Sequence, residues 1–108
     1  MNVKFHKYQG AGNDFIVLNN RYNTYSALTT AQIQWLCNRH FGIGADGLML
    51  LESLQGFDFK MVYFNSDGRQ STMCGNGGRC IIRFANDQKI VGESTQFLAV
   101  DGPHDGVV

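Results

Sequence analysis

Proline is nearly missing from this sequence. Pro103 is the only one in 108 residues, and it lies in the turn-like stretch "DGPHDG". No linker, internal repeat or low-complexity segment divides the chain, so one compact body is expected. Net charge is missing too: nine basic and nine acidic residues cancel. No overall field draws the chain to nucleic acid or to an anionic membrane, and a small substrate fits at least as well. There is no run of about 18 apolar residues and no apolar signal-peptide core behind Met1, which points to a soluble cytoplasmic protein. Cysteine is scarce and odd in number: Cys37, Cys74 and Cys80. That count excludes a regular disulfide framework, so reduced thiols are expected and remain available for chemistry.

Apolar residues are plentiful, at 44% of the chain with eight phenylalanines, enough to bury a core at the small end of domain size. Val3 and Phe5 alternate with Lys4 and His6, and "DFIVLNN" follows a glycine turn at residues 10–14, so a strand pair is predicted near the N-terminus. Thr29 and Thr30 can cap a helix running to about His40, with Ile33, Leu36, Cys37 and His40 on one face and Cys37 in the core. Leu48–Leu51 reads as a strand, as does the alternation of Phe57, Phe59, Met61 and Tyr63 down to Asn65. "NSDGR" supplies a turn. A second helix is expected from Gly75 to about Lys89, buried broadly because Ile82 lies off the face shared by Ile81, Phe84 and Ala85. Thr95–Val100 reads as a strand, and the closing "GVV" as the start of another, an ending that suggests a fragment.

The chemistry concentrates in "MCGNGGRC", residues 73–80. A cysteine at a helix start faces unpaired N–H groups and the positive end of the helix dipole, which favour its thiolate. Cys74 has that place. Gly75, Gly77 and Gly78 are poor helix formers, but they let a ligand approach the backbone. A carboxylate over the N–H groups of Gly75 and Asn76 would bring an amino acid's α-carbon to the sulfur of Cys74. The alternative is a buried cysteine in a glycine-rich turn. A zinc site from Cys37, His40, Cys74 and Cys80 lacks paired-ligand spacing. A Cys74–Cys80 disulfide would span more than a helical turn. "GIGADG" at 42–47 matches a dinucleotide-binding pattern, yet it follows a helix and precedes a strand, the reverse of the required context, and the chain has no Walker-type loop.

Four motifs, "GAGNDF" (10–15), "GIGADGL" (42–48), "FNSDG" (64–68) and "MCGNGGRC", in this order and spacing resemble the N-terminal half of the diaminopimelate epimerase family. The resemblance implies an α+β fold in which an antiparallel or mixed sheet curls into a barrel around a central helix, as one of two pseudo-symmetric halves. It also implies a cofactor-independent isomerase that takes LL-diaminopimelate to the meso form, for lysine and peptidoglycan synthesis, using a thiolate and a facing thiol. No metal is implied.

Carried over by motif, Cys74 matches one of the two acid/base cysteines, and Gly75 and Asn76 match contacts to the substrate. Asn13 and Asn65 match asparagines that bind it too, although either could merely close a turn. Gly47 stands where family members have glutamine, which removes a side-chain contact. The partner cysteine belongs to a C-terminal half absent from residues 1–108, so this piece alone is expected to be inactive; a homodimer is a further expectation. The related alternative is a proline racemase or hydroxyproline epimerase, against which "GNG" and "GNDF" speak. The alternative from another class is a binding module without catalysis.

Overall fold

The computed structural model describes residues 3–72 and 75–107. Its first feature is a hairpin of β1 (His6–Gly10) and β2 (Asn13–Asn19), in which Gly10 faces Asn13. That register leaves a two-residue loop, Ala11 and Gly12, both at positive φ (50° and 88°), as the tightest hairpins require. The strand pair therefore begins later than the Val3–His6 alternation suggests. Phe5 is 43% exposed outside the strand.

Helix α1 (Thr30–Cys37) starts at a capping box: the Gln32 N–H donates to the Thr29 hydroxyl (3.1 Å), and the Thr29 N–H donates to Gln32 Oε1 (2.9 Å). Ile33, Leu36 and Cys37 are its buried residues. The helix stops short of His40. Asn38 takes the N–H groups of His40 and Phe41 on its Oδ1 (2.8 and 3.0 Å), turning the chain away and leaving His40 exposed. The glycine-rich segment then folds back. Ile43 and Gly44 donate to the carbonyl of Leu36, and Ala45 to that of Cys37, so these N–H groups satisfy the helix's last carbonyls rather than a phosphate.

Strand β3 (Gly47–Glu52) lies parallel to β2 and antiparallel to β4 (Phe59–Asn65). In the centre of the sheet, β2 and β3 are covered on both faces and read as continuous apolar runs rather than as alternating ones. Ile16 and Leu18 join the core against α1, while Phe15 and Val17 join the core on the opposite face. Along β4 and β6 (Ser94–Ala99) the alternation returns, with Phe59, Met61, Tyr63, Thr95, Phe97 and Ala99 buried. β6 runs parallel to the start of β4, and β5 (Gln70–Ser71) pairs with its end. β7 (Gly102–Val107) closes the order β1-β2-β3-β4-β6-β7.

Helix α2 (Gly75–Asp87) fills the concave side and packs against both β1 and β7, the two ends of that strand path. The mixed sheet is thus curled into a half-barrel around the helix. Its broad burial is as expected: Cys80, Ile81, Ile82, Phe84 and Ala85 all face the core with Phe59 and Phe97, whose rings stack at 4.9 Å. Gly106 permits the close approach of β7, since a Cβ there would lie 2.2 Å from Ile82 Cδ1. α2 ends in a Schellman motif, with Ile90 N–H donating to Ala85 O (2.8 Å), Lys89 N–H to Asn86 O (2.9 Å), and Lys89 itself at φ 60°.

Two expectations at the C-terminal end are corrected. Pro103 is in strand β7 rather than a turn, opposite Leu98, and an edge strand tolerates its missing N–H. Gly106 and Val107 of "GVV" finish β7 instead of starting a further strand; Val108 lies outside the described residues. Among the described residues no helix is long and apolar enough to cross a membrane.

Candidate active site

The tight β1–β2 loop fixes Asn13 at the first position of β2. Phe15, two residues on, pairs with Gly47 at the start of β3, and Gly47 pairs with Asn65 at the end of β4. Asn13 and Asn65 therefore share one end of the sheet. α2 begins at that end as well, because Asn76 Nδ2 donates to Asn13 Oδ1 at 2.9 Å. Gly75 opens the helix and is exposed; Asn76 is half-buried. Cys74 lies outside the described residues, immediately before α2.

Asn65 does close a turn: its carbonyl accepts the Gly68 N–H at 2.9 Å, and its own N–H donates to Arg69 O at 2.9 Å. The residue is exposed. Asn13 does more than close the hairpin, because its side chain joins two other motifs. Besides accepting from Asn76, it donates through Nδ2 to Asp46 Oδ2 at 3.3 Å.

Behind Asn13 stands a charged cluster that the sequence reading does not single out. Asp14 and Asp46 clasp each other, each carboxylate accepting the other's backbone N–H, at 3.1 and 2.9 Å. Arg39 grips Asp14 with two nitrogens (3.1 and 2.9 Å) and reaches Asp46 Oδ1 at 3.1 Å. Lys7 Nζ adds a contact to Asp14 Oδ2 at 2.9 Å. The hydrogen bond from Arg39 holds the Asp14 carboxyl well below the usual carboxylate range, against a smaller opposing effect of burial, with Lys7 and the Asp46 N–H helping. On the other side, Arg79 donates to Asn76 Oδ1. Asp14, Asp46 and Arg79 all stand inside the quoted motifs, in "GNDF", "GADG" and "GGRC", and that membership is the signal the sequence offers for them.

Gly47 has no room for a side chain. A Cβ there would meet the Tyr63 hydroxyl at 2.6 Å and the Phe64 carbonyl at 2.9 Å. The remaining cysteines are structural in position: Cys37 and Cys80 are buried in the cores on opposite faces of the sheet. Burial pushes the Cys37 thiol up to about 11, which keeps it protonated at neutral pH.

The chain resembles known proteins in sequence and in fold. The chain is 58% identical over 106 residues to a diaminopimelate epimerase of Flavobacterium psychrophilum, covering 98% of this chain and 41% of that protein. It is 52% identical over 92 residues to a Synechococcus protein of the same name, covering 84% of this chain and 32% of the relative. The chain thus spans well under half the length of these relatives. A solved structure of a PhzF-family phenazine biosynthesis protein from Bacillus anthracis superposes with a TM-score of 0.65 at 16% identity, over 95% of this chain and 33% of that one, a likeness of fold. The diaminopimelate epimerase family profile matches residues 5–103, and the chain belongs to that family.

Proposed function

We propose that residues 1–108 form the N-terminal half of a cofactor-independent epimerase that converts LL-diaminopimelate to the meso isomer in the cytoplasm, on the route to lysine and peptidoglycan. The observation that carries this reading is the hydrogen bond from Asn76 to Asn13, which ties the motif holding Cys74 to the first motif at one end of the sheet. Family membership supports it.

In this reading the thiolate of Cys74 takes the α-proton from one face of the substrate, and a thiol from the C-terminal half returns a proton to the other. The electron pair left on the α-carbon forms the new C–H bond, so the stereocentre inverts without net oxidation or reduction. An unperturbed thiol titrates at about 8.5, and a helix start lowers that value, enlarging the basic fraction at neutral pH. The N–H groups of Gly75 and Asn76 carry the substrate carboxylate and stabilise the charge that develops during proton removal. Asn13 and Asn65 hold the unreacted amino-acid end, and once the second half closes over them an amide left unpaired penalises a ligand lacking that end. Residues 1–108 by themselves supply one thiolate and one wall, so they do not epimerise.

The test is chiral analysis of the complete enzyme given LL-diaminopimelate or L-proline. Formation of meso-diaminopimelate without D-proline is expected. Turnover of proline alone would assign the protein to the other branch, and binding of diaminopimelate without turnover would make it a binding module.

A further inference from the structure

We infer that Asp46 is a positioning residue that sets the orientation of the Asn13 side-chain amide toward the substrate; this rests on the proposed function. An asparagine amide has one end that donates and one that accepts, and a flip exchanges them. Both ends of Asn13 meet partners of fixed sense. Asp46 Oδ2, a carboxylate oxygen, can only accept from Nδ2, and Asn76 Nδ2 can only donate to Oδ1. Flipping Asn13 would break both bonds and set its oxygen against a carboxylate. One N–H and one acceptor lone pair of Asn13 then remain, with their directions fixed, for a ligand.

Asp46 is itself held. Its Oδ2 takes the Asp14 N–H, its Oδ1 takes Arg39, and its own N–H donates to the Asp14 side chain and carbonyl. The aspartate that orients Asn13 is therefore fixed by the strand that carries Asn13 and by the arginine that follows α1. Such support turns a rotatable side chain into a directed contact.

The experiment measures diaminopimelate epimerisation by the complete enzyme with Asp46→Asn, Asn13→Ala and the two combined. Asp46→Asn is expected to raise KM about tenfold or more with kcat within about twofold, because a contact made alike in ground and transition states is weakened. The increase should vanish in the Asn13→Ala background. An unchanged KM in Asp46→Asn, or the same increase in both backgrounds, would overturn the inference. If the Asp46 variants do not fold, Arg39→Lys is read in the same two backgrounds with the same criteria. Side-chain amide NMR gives a readout independent of turnover: the Asn13 NH2 resonances, identified by their loss in Asn13→Ala, should shift and exchange faster in Asp46→Asn. Unaltered resonances would overturn the inference, whereas an unmodified enzyme that fails to epimerise would overturn the proposed function.

Discussion

The side-chain amide of Asn76 donates to Oδ1 of Asn13 across 2.9 Å, though 63 residues separate them in the chain. This bond fastens the start of the central helix to the first turn of the sheet. Replacing Asn13 and Asn76 by Ala, singly and together, should give non-additive losses of stability, with a coupling of about 1 kcal/mol by chemical denaturation. Strict additivity would show that the bond contributes nothing.

Gly47 is constrained by packing. Gly47→Gln should destabilise the fold by about 1–3 kcal/mol, because the new side chain collides with the Tyr63 hydroxyl and with the Phe64 carbonyl, which cannot swing away. Equilibrium unfolding of the variant beside the parent decides it. A stability equal to the parent's would mean that β3 and β4 can separate locally without cost.

Lys89 offers a change of the opposite sign. It holds the left-handed position that ends α2, at φ 60°, where glycine carries no steric penalty. Lys89→Gly should raise stability by roughly 0.5–1 kcal/mol after the added flexibility of the unfolded chain is counted. A lower thermal midpoint would contradict this.

Acid should loosen the charged cluster. Asp14 titrates lower in the folded protein than in the unfolded chain, where an aspartate titrates at about 3.9. Below that value the unfolded chain binds the extra proton, so stability is full at neutral pH and falls as pH drops below about 4 toward the folded value. Asp14→Asn should flatten that part of the stability-versus-pH curve. An unchanged slope would show that Asp14 does not carry the acid sensitivity.

Much of the fold is legible in the sequence because apolar spacing and core burial are the same fact seen twice. Ile81, Phe84 and Ala85 mark the buried face of α2, and Phe59, Met61 and Tyr63 that of β4. Boundaries are less legible. His40 continues the helical spacing of α1, but Asn38 offers its side chain to the N–H groups of His40 and Phe41 and ends the helix first. Pro103 reads locally as a turn residue because its place on a sheet edge depends on strand order, which no local pattern states. For the candidate site, the motifs name Asn13 and Asn76, which meet in the fold, but the cluster of Asp14, Arg39 and Asp46 is made by side chains that come together only after folding.

The proposed role of Cys74 is that of the base for one face of the α-carbon. Its most direct test is exchange of the substrate α-hydrogen in deuterium oxide by the complete enzyme, comparing the parent with Cys74→Ala and Cys37→Ala. The parent and Cys37→Ala should incorporate deuterium during epimerisation, the latter with a stability loss of about 1–3 kcal/mol from its buried site. Cys74→Ala should form no meso isomer. Normal epimerisation with deuterium incorporation by Cys74→Ala would show that another group removes the α-proton.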